Sequence, residues 1–456
     1  MSRGVRTSML LGAALCALSM IAGCTSTKKE DRPAVLVKLV NRISIKRVWR
    51  THLSGEVPTL RLGLGVAASG QQVFVANHKG IVEAYALGSG RRLWQKNLKV
   101  PLSAGPGEGD GLVVFGTSKG EIIALSEVDG APRWRTRINS EILAAPAVGA
   151  DLVVVAGVDG KLHGLSTADG SESWVVDQQP PRLSLRGSSR PTLVGDLAFS
   201  GFDNGRVVAV VRANGSSAWD AAIGQPHGST ELQRLIDVDA AVVADGDDLF
   251  AVAYQGRVAR LTRETGEIVW ARDMSSYRGL AVDGTGVYIS TADGEVVRLD
   301  RTNGTEQWRQ KALARRQLTA PVIYGGRVVV ADLAGVVHWL DASDGALLAR
   351  VQSGKHAINS TPLVAGGLLL VFSDDGDLDA FSASATTAPA PPPAPPKPVK
   401  PVKHHWWNWQ KTASPTTTAP ATAAPTPGTP ATATPTTGTS TPAAPNPAAA
   451  PASSTP

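Results

Sequence analysis

The feature that most constrains this 456-residue chain is a repeat of about 40 residues, marked by glycine and tryptophan. At eight places a glycine separates two short apolar runs: Gly80, Gly120, Gly160, Gly205, Gly256, Gly294, Gly335 and Gly376. In the first seven units a second glycine follows ten residues later: Gly90, Gly130, Gly170, Gly215, Gly266, Gly304 and Gly345. Six units carry a tryptophan four residues beyond it: Trp94, Trp134, Trp174, Trp219, Trp270 and Trp308. A period of this length, with strand and turn patterns, is typical of a β-propeller.

Residues 144–177 show how one unit folds. A β-branched run ends at Asp159-Gly160, where glycine accepts the positive φ of a tight turn. An alternating strand, a second turn at Asp169-Gly170 and a third strand carrying Trp174 follow, and 144–148 supply an innermost strand. We therefore predict an all-β fold, an eight-bladed β-propeller of four-stranded antiparallel blades. The recurring tryptophans are expected to pack between blades.

The eighth unit, 368–381, lacks both the second glycine and the tryptophan. Residues 43–53 belong to no unit, yet they contain Trp49 in the same Trp-polar pattern. Pairing this N-terminal strand beside the last blade would close the ring and remove an exposed sheet edge. Ala349 stands where the seventh tryptophan is expected, so that contact between blades must be filled differently.

The N-terminus has the pattern of an export signal. Arg3 and Arg6 precede an apolar stretch too short for a comfortable transmembrane helix. The stretch ends in Ile-Ala-Gly-Cys24, which resembles a bacterial lipobox, the motif in which the cysteine is acylated and becomes the new N-terminus. Shortly after the cysteine stands Ser26 rather than an aspartate, which resembles lipoproteins that are sorted to the outer membrane. We predict a signal peptide over 1–23 and lipidation at Cys24, which anchors the chain by acyl burial.

The rest of the chain divides by composition into a tether, 24–40, the propeller, 41–383, and a Pro/Ala/Thr-rich tail, 384–456, expected to be disordered. Within the tail, His404–Trp409 is either a short docking motif or an unimportant linker segment. The formal net charge is +6, and four tail lysines leave only +2 for everything before them. The propeller therefore has no electrostatic support for binding nucleic acid.

Propeller repeats of this kind also occur in quinoprotein dehydrogenases, so we considered an enzyme. Those enzymes carry adjacent cysteines near the quinone, whereas the cysteines here are Cys16, in the signal, and Cys24. The acidic stretch Asp374–Asp379 lacks the later Glu of an EF-hand loop and coincides with the eighth hairpin turn. The histidines are scattered without an evident nucleophile. We predict no catalytic constellation, no metal site and no cofactor.

Two neighbouring repeats are longer than the others. Successive first glycines lie 40, 40, 45, 51, 38, 41 and 41 residues apart. The added residues fall in 177–191 and 224–239. Insertions in repeat proteins form loops on one face and often bind. Because they belong to adjacent units, these loops are either one binding patch or two inert loops.

The insertions contain the motifs RLSLRG and GSTELQRLIDVD, and they lie on an eight-unit propeller behind a lipobox. In these features the chain resembles the BamB family. The resemblance covers about 41–383 and the lipobox. It implies a non-enzymatic outer-membrane lipoprotein of the β-barrel assembly machinery, on the periplasmic face, whose loops bind the POTRA region of BamA. The matching partner-binding residues are Leu183, Leu185, Arg186, Asp237 and Asp239.

The resemblance also implies membership of the whole assembly complex and contact with unfolded outer-membrane proteins through strand edges. The two acids either bind partner donors or brace Arg186 across the loops. A degenerate quinoprotein-type enzyme and a propeller that binds the envelope or peptidoglycan remain the alternatives.

Overall fold

The computed structural model describes residues 32–53, 63–179, 181, 183, 187–225 and 229–384. Within these ranges the strands form eight sheets, which confirms the predicted propeller. Blades I to IV contain β3 Val66–Ser69, β4 Gln72–Ala76, β5 Ile81–Ala86 and β6 Arg92–Asn97; β7 Ala104–Gly109, β8 Leu112–Gly116, β9 Glu121–Ser126 and β10 Pro132–Arg137; β11 Ala147–Val148, β12 Leu152–Ala156, β13 Lys161–Ser166 and β14 Glu172–Asp177; β15 Thr192–Val194, β16 Leu197–Gly201, β17 Arg206–Val211 and β18 Ser217–Ala222. Blades V to VIII contain β19 Val243–Asp245, β20 Asp248–Val252, β21 Arg257–Thr262 and β22 Ile268–Asp273; β23 Leu280–Val282, β24 Gly286–Ser290, β25 Val296–Asp300 and β26 Glu306–Gln310; β27 Val322–Tyr324, β28 Arg327–Ala331, β29 Val336–Asp341 and β30 Leu347–Gln352; β31 Leu363–Ala365, β32 Leu368–Phe372, β33 Asp377–Ser384 and β1 Ser44–His52.

The middle strands of each blade are apolar on both faces because blades pack against each other on both sides. Every residue of β8 and of β12 is buried. The outermost strands, such as β10 and β14, instead alternate between exposed and buried positions. A strand covered on both faces reads as a continuous Val/Ile/Leu run, and one covered on a single face reads as an alternation.

The tryptophan of one blade docks on the second glycine of the next. The indole N–H donates to a backbone carbonyl of the following blade over 2.8–3.0 Å in seven pairs: Trp49 to Leu87, Trp94 to Glu127, Trp134 to Thr167, Trp174 to Arg212, Trp219 to Arg263, Trp270 to Arg301 and Trp308 to Ala342. Each acceptor lies in the turn that ends at the second glycine, where φ is between +67° and +73°. A Cβ on that glycine would lie 2.5–2.9 Å from the indole ring. Glycine is therefore required both by the turn and by the docked ring.

The predicted closure by the N-terminal strand is confirmed. β1 pairs antiparallel with β33, from Ser44 opposite Ser384 to His52 opposite Asp377. Trp49, on this strand, is 8% exposed and docks on Gly90 of blade I. The ring is thus closed by the same contact that joins the other blades.

The junction between blades VII and VIII is built differently, as Ala349 led us to expect. Ala349 lies opposite Trp339, which is fully buried and meets Phe381 edge-on with ring centroids 6.1 Å apart. The Tyr324 hydroxyl donates to the carbonyl of Gly367 in blade VIII over 2.9 Å. Trp339 on β29 and Tyr324 on β27, the innermost strand of blade VII, take the place of the tryptophan that is missing from the outermost strand.

Blade II holds a fifth strand that the repeat pattern did not predict. β2 Gly63–Leu64 pairs in parallel with β7, Gly63 opposite Ala104. A Cβ at Gly63 would lie only 1.9 Å from the carbonyl oxygen of Leu143. The backbone can approach this closely only because the residue has no side chain.

Residues 32–43, just before β1, lie in extended form against blade VII. The Ala34 N–H donates to the Ala314 carbonyl over 2.9 Å. Two arginines, Arg316 and Arg350, donate to the carbonyls of Ala34 and Val37 over 3.0 and 2.6 Å. This part of the chain is held by backbone hydrogen bonds, although its sequence carries no strand pattern.

A buried ionic cluster positions those two arginines. The Asp332 carboxylate, fully buried, accepts from Arg316 over 2.6 Å and from His338 Nε2 over 2.9 Å. Nδ1 of His338 accepts from Arg350 over 3.2 Å, which fixes the neutral tautomer with its proton on Nε2. Burial lowers the pKa of His338 despite the opposing pull of Asp332.

No helix in the described part of the chain has the length and apolar character needed to cross a membrane.

We expect Gly90→Ala to destabilise the protein more than Gly111→Ala does. Both glycines have nearly the same positive φ, +67° and +70°. A Cβ at 90 meets Trp49 at 2.6 Å, whereas one at 111 meets nothing within 4 Å. Overpacking of this kind typically costs about 1–3 kcal/mol, so the difference in unfolding free energy in urea isolates the docked ring. Equal losses would show that the indole contact contributes nothing to closure.

Candidate partner-binding surface

The two insertions meet where they leave the propeller. The Ser189 hydroxyl donates to the Ala240 carbonyl over 2.9 Å and the Thr192 hydroxyl to the Val242 carbonyl over 2.7 Å. A Cβ at Gly187 would lie 2.1 Å from an Asp239 carboxylate oxygen, so the backbone of the first insertion lies directly against the Asp239 side chain. We call the described residues of 177–191 and 224–239 the loop pair. The two halves of the loop pair are therefore in contact at their base.

The second insertion contains a one-turn helix, α1 Glu231–Arg234. The Thr230 hydroxyl accepts from the Gln233 backbone N–H over 3.2 Å, and the Gln233 side chain accepts from the Thr230 N–H over 3.3 Å. This reciprocal capping box satisfies two donors that a helix start otherwise leaves without partners. Glu231 in the first turn and Arg234 in the last complement the helix dipole.

The end of the second insertion is anchored in the core. Ile236 and Val238 are at most 3% exposed and pack in the cluster between blades IV and V. Asp237, between them, pairs its backbone with Tyr254, whose N–H donates to the Asp237 carbonyl over 2.7 Å. The loop is therefore rigid at its base while its helical tip faces solvent.

The predicted binding residues occupy different environments. Leu183 is 43% exposed and available to a partner. Asp239 is half-buried against Gly187. Asp237 is only 1% exposed, so its carboxylate lies inside the fold rather than on the surface. Leu185 and Arg186 lie outside the described residues, as do Cys24, the signal peptide and the tail with His404–Trp409.

Leu232 is a surface residue that the sequence reasoning missed. It sits on α1 and is 67% exposed, among the most exposed large apolar side chains in the described chain. The Thr-x-x-Gln capping pattern that starts α1 was the available signal, because it marks a helix start next to this leucine. Leu183 and Leu232 place one exposed leucine on each insertion.

The loop pair borders the mouth of the central channel. A cavity of 670 Å³ there is lined by the innermost strands and by Ser188, Arg190 and Asp239. Across it, Arg278 of blade VI donates to the Asn359 side-chain oxygen over 3.1 Å, and the Asn359 amide donates to Asp374 over 2.5 Å. Burial raises the pKa of Asp374, and these donors oppose the shift.

Glu108 of blade II also titrates abnormally. Burial raises the pKa of its carboxyl group, and the charge of Arg190 opposes the rise.

No group of three or more His, Cys, Asp or Glu in the described ranges could hold a metal ion. The loop pair exposes one leucine on each insertion, Leu183 and Leu232, next to the half-buried carboxylate of Asp239, so it presents both apolar and polar surface to solvent.

These observations define an eight-bladed β-propeller protein with tryptophan-docked blades and two long loops that meet on adjacent blades. The chain belongs to the BamB family: the family model described as "Outer membrane protein assembly factor BamB" matches residues 78–310 and 292–433. The relative of that name from Pseudomonas aeruginosa is 43% identical over 372 residues, 81% of this chain and 98% of the relative. The one from Escherichia coli K12 is 34% identical over 380 residues, 80% of this chain and 97% of the relative.

Solved structures agree with the fold. BamB from Moraxella catarrhalis superposes with a TM-score of 0.69 at 29% identity, covering 74% of this chain and all of that one. The quinohemoprotein alcohol dehydrogenase of Comamonas testosteroni gives a TM-score of 0.61 at 12% identity, covering 76% of this chain and 77% of that one. This second likeness extends to the fold alone.

We expect Ser189→Ala to weaken the junction of the loop pair. Ser189 is 2% exposed, so removing its hydroxyl leaves the Ala240 carbonyl buried without that donor. The cost of such a loss is about 1–3 kcal/mol, measured as unfolding free energy in urea. Ser171→Ala is the control, because the hydroxyl of Ser171 bonds within an exposed turn. A loss no larger than the control's would contradict the assigned junction.

Proposed function

We propose that this chain is a non-enzymatic scaffold of the outer-membrane β-barrel assembly complex, which holds the POTRA region of BamA through its loop pair. The observation that carries the proposal is the loop pair itself, two insertions on adjacent blades that are hydrogen-bonded at their base. Membership of a family of outer membrane protein assembly factors supports the role.

The chemistry of the loop pair suits an interface with an apolar centre. Leu183 and Leu232 are exposed, and Leu185 lies within the first motif. Arg186 supplies a guanidinium for charge-assisted hydrogen bonds to a partner carboxylate. Asp239 is half-buried beside Gly187, next in sequence to Arg186, where a carboxylate can brace that arginine. Asp237 is buried and holds the base of the second insertion through its backbone pairing with Tyr254.

Anchoring completes the proposal. Acylation at Cys24 would hold the propeller at the periplasmic face of the outer membrane, next to the complex. Unfolded outer-membrane proteins are further partners, which could add strands to the outer edges of the blades.

The partner assignment predicts that Leu185→Ala, Arg186→Ala, Leu232→Ala and Asp239→Ala each reduce capture of BamA's POTRA region. Truncation of a central interface residue typically costs about 2 kcal/mol or more, near thirtyfold in affinity. Affinity is measured with the purified POTRA region. Asp237→Ala is expected to lower the unfolding free energy as well, because its side chain is buried.

An exposed residue away from the loop pair serves as the control. Val128, 74% exposed, should be replaceable by Ala with little change in capture. A double-mutant cycle on Arg186 and Asp239 tests bracing, since residues in one network couple non-additively. Well-folded Leu185 and Arg186 variants that bind the POTRA region as tightly as the parent would overturn the assignment.

The anchor assignment predicts that Cys24→Ser abolishes acylation and releases the protein into the soluble periplasmic fraction once the membranes are washed at high salt. Acyl chains supply about 0.8 kcal/mol of membrane affinity per buried CH₂. The mass of the purified mature protein and its distribution after fractionation are the measurements. A variant that stays acylated at the membrane would contradict lipidation at this cysteine.

A further inference from the structure

Three valines project from the N-terminal segment that lies against blade VII. Val35 is 90% exposed, Val37 69% and Val40 66%. Leu36, between the first two, packs against the cluster that joins blades VI and VII. The segment therefore turns one side to the propeller and presents valines on the other.

The backbone that carries these valines is fixed. Ala34 donates to the Ala314 carbonyl, and its own carbonyl accepts from Arg316. Further along, Arg350 bonds the Val37 carbonyl, and its backbone N–H donates to the side chain of Asn41 over 2.9 Å. The valines are thus held outward by a packed segment.

Every formal charge in residues 32–53 is positive. From Arg32 to Leu53 the chain carries six cations and no carboxylate: Arg32, Lys38, Arg42, Lys46, Arg47 and Arg50. Arg47 and Arg50 bind Asp379. Lys38 lies between Val37 and Val40 and is exposed. Apolar side chains interleaved with cations match the boundary between acyl chains and headgroups of an anionic lipid surface.

The distance to the predicted anchor allows this contact. Arg32 follows Cys24 by eight positions, and an extended chain spans at most about 3.3–3.6 Å per residue, so about 30 Å in all. A chain acylated at Cys24 must therefore keep Arg32, three residues before Val35, within that distance of the bilayer.

We propose that residues 32–42 form a membrane-contact strip, in which Val35, Val37 and Val40 insert at an anionic phospholipid surface and Lys38 binds the headgroups. The strip orients the propeller with blade VII towards the membrane. The proposal rests on the anchoring role suggested above, because lipidation is what brings the strip to the bilayer, and it does not depend on the loop pair.

The test uses the full mature chain with Cys24→Ser, so that acyl chains do not dictate binding. Sedimentation with vesicles of phosphatidylglycerol and phosphatidylethanolamine should show partition that weakens with salt and is lost on phosphatidylcholine. The triple variant Val35→Ser, Val37→Ser, Val40→Ser should lower the partition coefficient at least about tenfold. The matched triple Val128→Ser, Val175→Ser, Val269→Ser replaces exposed valines on other blades and should leave it unchanged.

A site-specific probe gives a second readout. With Cys24 replaced, the mature chain contains no cysteine, so Val37→Cys and Val128→Cys can each be labelled with an environment-sensitive dye. The dye at 37 should shift to the blue on anionic vesicles, and the dye at 128 should not. Absence of partition by the parent, equal partition by the two triple variants, or equal shifts would each overturn the strip.

The remaining outcomes separate this proposal from the proposed function. If the strip variant binds vesicles like the parent but loses affinity for the POTRA region, the valines meet a protein and the lipid contact is wrong. Acylation at Cys24 is measured independently by mass, and loop-pair variants should leave vesicle partition unchanged. Failure of the strip therefore differs in its readouts from failure of the anchor or of the partner surface.

Discussion

The rest of the structure depends on an indole ring lying flat on a glycine of the next blade. A blade on its own cannot bury its two faces, so the ring is stable only when each junction is made. The tryptophan supplies apolar area and one hydrogen bond, and the glycine supplies both the turn and the room. Seven of the eight junctions repeat this contact.

The repeat made most of the fold predictable. The turns of each blade are marked by glycines at fixed spacing. Trp49, in a stretch that belongs to no repeat unit, indicated how the ring closes. The fifth strand, β2, could not be predicted, since two residues that pair with β7 leave no periodic pattern. The packing of residues 32–43 was equally invisible, because it depends on arginines from blade VII that lie far away in sequence.

The site was predictable in position but not in the environment of its side chains. Unequal repeat lengths located the loop pair, and the structure brings its two halves together at Gly187 and Asp239. Burial of Asp237 could not be read from an Asp-Val-Asp motif, because alternation in a loop does not say which side faces the core. Exposure of Leu232 follows from a helix only one turn long, whose apolar residue has no core within reach.

Closure by β1 is the least local strand pairing in the fold. Ser44 pairs with Ser384, so during synthesis the first strand of the ring has no partner until the last is made. Local hairpins within a blade form between near neighbours in sequence, whereas this pairing must close a loop spanning the whole propeller, at a cost in chain entropy. We therefore expect burial of the Trp49 indole to lag behind formation of the hairpins, so a signal specific to that indole would report closure of the ring.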